Sequence, residues 1–192
     1  MGSTQHPRRG DTRQRIQDVA LELFAEQGYE KTSLREIAER LDVTKAALYY
    51  HFKSKEDIIV SIFADLTAPI DELIAWGRSR PHSLETKHEI LRRYSRMLAN
   101  AAPLFRFFQE NQASLRDLRI GAPFKDRMLD LRDLLQEPGA SMSDQVRCLS
   151  ALFTVHTGML ALKDVAGDPE EKREAVLEVS FELMNRAHGV TG

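Results

Sequence analysis

The sequence predicts an all-α fold, and two observations carry that prediction. Apolar residues recur at helical spacing along the whole chain, and no stretch alternates apolar and polar residues as a strand would. Helix-capping residues also stand in front of successive apolar segments. The 192 residues, 42% of them hydrophobic and 29% charged, suffice for one sizeable core or a core with a small satellite. We expect about nine helices.

The first two helices are expected to be amphipathic. Residues Ile16–Phe24 give a single apolar stripe, which Asp11 precedes as a cap and Gly28 ends. Ser33 opens the second helix with an S-x-x-E capping box, and the apolar side of this helix continues to Leu41.

The third helix decides the functional interpretation. Thr44 caps it after a turn at Asp42, a residue type that tolerates left-handed backbone. Two turns of helix are not stable alone, so the inward residues Leu48 and Phe52 must pack against the first helix. Two short helices joined by about three residues form a helix-turn-helix, whose second helix fits the major groove of DNA.

Longer helices are expected in the remainder of the chain. Ser54 and Asp57 cap a fourth helix, which Pro69 should kink. Further helices are expected from Ser83 to about Asn100, over 104–118 and 124–136 with 121–123 as a break, after a capping box at Ser141, and after Asp168.

The stretch from about Arg13 to Asp57 resembles the DNA-binding head of the TetR family of bacterial transcriptional regulators. Its first helix ends in FAEQGY, and TSLREIA and VTKAALYYHFKSKED follow in the family's order and spacing. Asp42 stands where the family's turn usually has glycine. The resemblance implies a DNA-binding domain over 10–53 and a ligand-binding and dimerisation domain over 54–192.

The outward side of the third helix carries a lysine, two alanines and two tyrosines. Such residues suit close approach to bases and hydrogen bonds to phosphates. Lys55 lies in the first turn of the fourth helix, where the positive end of the helix dipole disfavours a cation. A phosphate bound beside Lys55 would offset this unfavourable interaction. Carried over by position, the resemblance implies base or backbone contacts from Arg35, Thr44, Lys45, Ala46, Tyr49 and Tyr50, and phosphate contacts from Ser33, His51 and Lys55.

Charge also favours a polyanion at the N-terminal end. Residues 1–55 hold ten Lys and Arg against eight Asp and Glu, in a chain of net charge −2. The residues HPRRG at 6–10, with Arg13 and Arg15, are expected to form a flexible basic arm. This arm either reaches into a minor groove or remains a solvated tail.

The helix after Ser141 is apolar on two sides, and a second apolar side needs a partner. The resemblance implies a homodimer through the last two helices; burial of both sides within one chain is the alternative. Gly158 in mid-helix would allow another helix to approach closely. One side carries Val146, Leu149, Phe153 and Leu160, and the other carries Cys148, Leu152, Val155, Met159 and Leu162.

Aromatic and methionine residues after residue 75 predict either an apolar ligand site or plain core. His156 would be the polar group of such a site, since ligand pockets combine apolar walls with few polar groups. The candidates are Trp76, Phe105, Phe107, Phe108, Phe124, Met128, His156 and Met159.

Composition excludes several other classes of protein. No apolar run approaches the roughly 18 residues of a membrane-spanning helix, and the polar N-terminus is no secretory signal. The single cysteine, Cys148, and six histidines without metal-ligand spacing predict no disulfide, metal or cofactor. We expect a cytoplasmic protein.

Together with these observations, the resemblance implies a homodimeric repressor that a small molecule releases from a near-palindromic operator. The alternatives are a helical small-molecule-binding or catalytic protein with an architectural helix-turn-helix, or a protein-interaction adaptor. An enzyme is not expected, because no acid–base or nucleophile set converges in the sequence.

Overall fold

The computed structural model describes residues 9–101, 104, 107, 108, 111 and 121–190. Within these residues the chain forms eight α-helices and no strand, which confirms the all-α prediction. The ninth expected helix, over 104–118, lies almost wholly outside the described residues. The helices are α1 (Arg9–Gln27), α2 (Leu34–Arg40), α3 (Lys45–His51), α4 (Lys55–Arg78), α5 (Leu84–Asn100), α6 (Gly121–Leu135), α7 (Met142–Ala161) and α8 (Pro169–Ala187).

Two predicted helix boundaries are wrong. Helix α1 begins at Arg9, before the expected cap, so Arg13 and Arg15 lie within a helix and not in a flexible arm. Helix α6 begins at Gly121, so the expected break over 121–123 is helical. Pro123 is tolerated there because first-turn N–H groups have no partner within a helix.

Apart from the cap expected at Asp11, the predicted caps are confirmed. The Ser33 side chain accepts from the backbone of Glu36, whose carboxylate accepts from Ser33 N at 2.8 Å. Ser141 accepts from the backbone of the third residue after it, and Asp168 caps α8 with proline at the first position. Each cap satisfies backbone donors that a helix start leaves unpaired, so these local signals fix where helices begin.

The chain divides into two compact units. Residues 1–66 and 103–121 form the first unit, called here the head, and residues 67–102 and 122–192 form the second, called the body. Helix α4 therefore contributes its first half to the head and its second half to the body. The functional boundary at residues 53 and 54 stays a prediction.

The head has its own hydrophobic core. The buried side chains come from α1, α2, α3 and the first half of α4, and α3 enters the core through Leu48 and the adjacent Phe52. The burial of these two side chains confirms the inward side predicted for the third helix. The main members are Ile16, Ala20, Leu23, Phe24, Tyr29, Ile37, Leu48, Phe52, Ile58, Ile59 and Ile62.

The body has a second core, built from the rest of α4 and from α5 to α8. Helices α7 and α8 cross closely at Gly158, where an added Cβ would lie 2.7 Å from Val176 Cγ2. The predicted close helix approach is therefore confirmed, and it occurs within one chain. Cys148 is buried in this core, and burial raises the pKa of its thiol.

Among the described helices, none is long and apolar enough to cross a membrane. The same residues contain no group of three or more His, Cys, Asp or Glu side chains able to hold a metal ion.

Candidate nucleic-acid interface

Helices α2 and α3 form a helix-turn-helix. The turn between them places Asp42 in the left-handed region, with φ at 54°. Asp42 N donates to Glu39 O at 3.2 Å, and Val43 N donates to Ala38 O at 3.0 Å, so the end of α2 closes with its carbonyls satisfied. An aspartate thus takes the backbone conformation for which glycine is usual, as the sequence predicts.

Helix α3 is oriented by its apolar side. Leu48 is fully buried in the head core, whereas Lys45 and Ala46 are exposed and Tyr50 is 64% exposed. Residues two positions from Leu48 lie on the opposite side of the helix, so burial of Leu48 turns Ala46 and Tyr50 outward. Lys45 is exposed beside them at the first position of the helix, and these three residues form the outward face of α3. That face presents a cation, a small residue and a phenol, a combination suited to the edges and phosphates of a duplex.

Neighbouring side chains hold the outward face in place. Lys45 Nζ lies 5.4 Å from the ring centroid of the half-buried Tyr49, and Lys53 Nζ donates to Tyr49 O at 2.7 Å. The rings of Tyr50 and His51 meet edge to face at 5.3 Å. Lys53 was missed by sequence reasoning, and its exposure beside the end of α3 makes it a further candidate for a phosphate contact.

Ser33 and Thr44 have structural roles as caps. Thr44 Oγ1 accepts from Ala47 N at 3.1 Å, and Ser33 Oγ donates to Glu36 Oε2 at 2.7 Å. The latter bond helps to hold the pKa of Glu36 below its usual value. Their predicted contacts with DNA stay predictions.

Arg35 lies on the exposed face of α2. Its Nε donates to Glu39 Oε1 at 2.7 Å, one turn further along the helix. An arginine has further donors on its terminal nitrogens, so this bond leaves Arg35 able to reach a base or a phosphate.

Lys55 does not lack a partner. Its Nζ donates to Tyr29 O at 2.7 Å and to Glu30 O at 3.2 Å, and it lies 4.2 Å from the ring centroid of Tyr29. The premise that a cation in the first turn of α4 needs a phosphate is therefore wrong, because carbonyls and a ring face already stabilise it. A phosphate contact from Lys55 stays a prediction.

In the body, His156 contacts the side chains of Tyr94 and Phe124. Its Nδ1 lies 2.6 Å from the Tyr94 hydroxyl, and its ring centroid lies 5.5 Å from that of Phe124. The Tyr94 hydroxyl lies 3.5 Å from Met128 Sδ. Burial lowers the pKa of His156 and raises that of Tyr94, so both groups are uncharged near neutral pH.

Tyr94 was missed by the sequence analysis. It is fully buried on α5, one turn beyond Ile90 on the apolar stripe, where an aromatic residue indicates core. The only signal in the sequence was its phenol, since a buried hydroxyl requires a hydrogen-bond partner.

The other candidate pocket residues do not all join this cluster. Phe108 packs in the core of the head, with its ring centroid 5.0 Å from that of Phe63, and Phe107 lies beside it. Trp76 lines a groove of about 420 Å³ on the body, where the guanidinium carbon of Arg93 lies 3.9 Å from its ring centroid. Met159 is half-buried on α7, and Phe105 lies outside the described residues.

The capped starts of α2 and α3, the left-handed turn and the outward face of α3 define a helix-turn-helix DNA-binding domain. Residues 16–62 match the family described as "Bacterial regulatory proteins, tetR family". The regulator AcrR from Shigella flexneri is 49% identical over 63 residues, which are 33% of this chain and 29% of AcrR. The negative transcriptional regulator IcaR from Staphylococcus aureus strain Newman is 50% identical over 44 residues, 23% of this chain and 24% of IcaR.

Solved structures extend the likeness across both units. A transcriptional regulator from Aquifex aeolicus VF5 has a TM-score of 0.70 at 24% identity, covering 87% of this chain and 96% of that one. A TetR-family regulator from Syntrophomonas wolfei has a TM-score of 0.68 at 22% identity, covering 92% and 96%. At this identity the likeness establishes the fold. Residues 16–62 match the TetR family model, so the predicted resemblance is confirmed for this stretch of the chain.

Proposed function

We propose that the chain is a homodimeric transcriptional repressor that leaves a near-palindromic operator when a small molecule binds its body. The observation that carries the proposal is the outward face of α3, which a buried Leu48 turns away from the core. IcaR is a negative transcriptional regulator that is 50% identical to this chain over 44 residues, and this similarity supports a role in repression. Operator binding would place the chain in the cytoplasm.

The two heads of a dimer would insert their α3 helices into successive major grooves. Half-sites read by helix-turn-helix dimers lie about 34 Å apart or somewhat further, with two-fold symmetry. Lys45 and Tyr50 would contact bases or phosphates, and Ala46 would allow the helix to approach closely. The end of α3, with Lys53, would lie against the phosphate backbone.

An unpaired apolar face on the body supports a dimer. Val146, Leu149, Phe153 and Leu160 follow one line along α7, and all four are exposed, whereas Cys148 and Leu152 on the opposite side are buried. Val179 is similarly exposed on α8. A face of this size on the last two helices fits a second copy of the chain, since a two-fold dimer pairs the same surface with itself.

The cluster around His156 supports a small-molecule effector. It joins an uncharged imidazole and phenol to the apolar surfaces of Phe124 and Met128, the composition typical of ligand sites. The fitting class of effector has an apolar or aromatic body with one hydrogen-bonding group. Its binding would act on operator affinity through α4, the helix shared by the two units.

Binding to the DNA upstream of the chain's own gene tests the central claim. Affinity should fall steeply between two salt concentrations, because contacts with phosphates release counterions. Lys45→Ala and Tyr49→Ala should weaken binding about tenfold each, the range for one good contact. Lys163→Ala, which removes an exposed lysine on the body, is the matched control and should bind normally. Binding equally tight in all four proteins would contradict the assignment of α3.

Sedimentation equilibrium tests the dimer. Phe153 is 51% exposed on α7, and Phe153→Glu would place a carboxylate in each copy of the interface, producing monomers that bind the operator weakly. Val165→Glu introduces the same charge at an equally exposed valine after α7 and should remain dimeric. If Phe153→Glu remains dimeric, the dimer interface does not include this face of α7.

A panel of apolar and aromatic compounds tests the effector site. Those that bind should raise Tm and lower operator affinity, and Tyr94→Phe should reduce both effects without changing operator affinity in their absence. If no compound in a broad panel changes operator affinity, the induction part of the proposal fails and the regulator would be constitutive.

A further inference from the structure

A chain of polar side chains joins α1 to α4 inside the head. Ser61 Oγ accepts from Arg13 Nη2 at 2.6 Å and from Gln17 Nε2 at 2.7 Å, and Gln17 Nε2 also donates to Asp65 Oδ2 at 2.6 Å. Gln17 is 2% exposed and Ser61 is 6% exposed. These four residues are called the α1–α4 clasp.

The clasp occupies a place that apolar side chains would otherwise fill. Ile16 and Ala20 on α1 and Ile58 and Ile62 on α4 are buried in the same core. Apolar side chains tolerate several relative positions of two helices, whereas buried hydrogen bonds accept few, because a displaced donor is left unsatisfied. A buried amide and hydroxyl therefore fix geometry more than they add stability.

Helix α4 is anchored a second time at its start. Lys55 Nζ donates to Tyr29 O, and the Tyr29 hydroxyl donates to Glu56 Oε1 at 3.3 Å. Ser61 and Asp65 lie about 9 and 15 Å further along the helix, at about 1.5 Å per residue. One anchor fixes a point on a helix, but two anchors at this separation fix its direction.

The clasp also reaches the end of the recognition helix. The guanidinium carbon of Arg13 lies 4.5 Å from the ring centroid of Phe52, which caps α3 and is buried. Arg13 thus contacts both the helix proposed to read DNA and, through Ser61, the helix that leaves the head. A cation over an aromatic face and a charge-assisted hydrogen bond hold these contacts together.

We propose that Gln17 and Ser61 are positioning residues for operator binding, because they fix the direction in which α4 leaves the head. This inference rests on the proposed function. A dimer binds its operator only when both heads are aligned with the two half-sites. If each head of a clasp variant were aligned about one third of the time, about one dimer in nine would be competent, and apparent affinity would fall about ninefold.

The double variant Gln17→Leu/Ser61→Ala removes the clasp and leaves apolar side chains in its place. We expect a Tm close to that of the wild type, an operator affinity lowered about three- to tenfold, and an unchanged affinity for random-sequence DNA at low salt. Gln14→Leu is the matched control, since Gln14 donates to Asp18 on the exposed side of α1. Asp65→Asn keeps an oxygen acceptor for Gln17 and should behave as the wild type, whereas Asp65→Ala should be intermediate.

A distance measurement without DNA separates this inference from the proposed function. Spin labels at Glu22→Cys on α1 and Ala64→Cys on α4, in a Cys148→Ala background diluted with unlabelled chain, report the direction of α4. The distance distribution should be narrow with the clasp and broad in the double variant. A narrow distribution in the double variant, or an operator affinity that falls only together with Tm, would overturn the inference. If the wild type bound no operator, the proposed function would fail. The distance distribution alone would then test whether the clasp fixes the direction of α4.

Discussion

The head and the body of this chain differ in how their sequences relate to their structures. In the head, the caps Ser33 and Thr44, the turn at Asp42 and the inward Leu48 all lie where the sequence places them. In the body, the helices are largely as expected, but the residues that meet at His156 come from α5, α6 and α7. Local signals thus fix an interface built on two adjacent helices, whereas a site built from distant helices depends on packing.

The difference has a physical cause. A recognition helix must present side chains to a duplex of constant shape. The distances along the sequence between this helix and its cap, turn and core residues are therefore restricted. The body must bury apolar surface and, under the proposed function, bind a ligand, and many sequences can do so with the same fold. Accordingly, the family model matches residues 16–62 and AcrR matches 63 residues, whereas a solved structure at 24% identity covers 87% of this chain.

The largest expected difference in stability between the head and the body is produced by Leu48→Ala. Leu48 is fully buried and attaches α3 to the head core, so its truncation should cost about 2–5 kcal/mol. The head should unfold at a lower denaturant concentration than the body, and operator binding should be lost. Circular dichroism together with the fluorescence of Trp76, which lies in the body, would show two separate transitions. A single shared transition would mean that the two units unfold cooperatively.

A smaller effect, confined to the body, is expected from Gly158→Ala. The added Cβ would lie within 3 Å of both methyl groups of Val176, and such overpacking costs about 1–3 kcal/mol. Val176→Ala removes those methyl groups, so in that background Gly158→Ala should instead stabilise by about 1 kcal/mol through helix propensity. Denaturant unfolding of the four proteins in this cycle measures the coupling. Additive effects would contradict the close approach of α7 and α8.

In the head, Thr44→Ala should cost about 1 kcal/mol, because it removes the acceptor for Ala47 N at the start of α3. Thr44→Ser keeps that acceptor and is the control. Operator affinity should fall in Thr44→Ala more than Tm suggests, since the uncapped helix begins at the residue proposed to contact DNA. Equal effects of the two substitutions would show that the hydroxyl is not used as a cap.

The smallest expected effect is a dependence of body stability on pH. Burial lowers the pKa of His156 below its unfolded value of about 6.5, so the unfolded chain takes up the proton first as the pH falls. The stability from a neutral His156 is therefore fully present above about pH 6.5 and is lost as the pH falls from there towards the folded pKa. His156→Gln removes this titration, and a comparison of Tm at pH 7.5 and 5.5 should show a smaller decrease for the variant. Equal decreases would mean that other groups carry the pH dependence.

The errors made from the sequence share one feature. Arg13 and Lys55 were judged by their local sequence, as part of a basic arm and as an unpaired cation. The structure gives both of them partners on other elements, Arg13 with Ser61 and Phe52, and Lys55 with Tyr29. Phe108 was grouped with His156 on composition, but it packs in the head core. Periodicity reports which face of a helix is apolar, and it does not report which neighbour that face meets.

The sequence by itself determined the helical class, the starts of most helices and the helix-turn-helix, because caps, turns and apolar spacing act over a few residues. Only the tertiary structure decided that Tyr94 pairs with His156, that Gly158 admits Val176, and that α1 clasps α4 through Gln17 and Ser61. These contacts join residues 18 to 62 positions apart in the chain, and their partners are selected by the packing of whole helices.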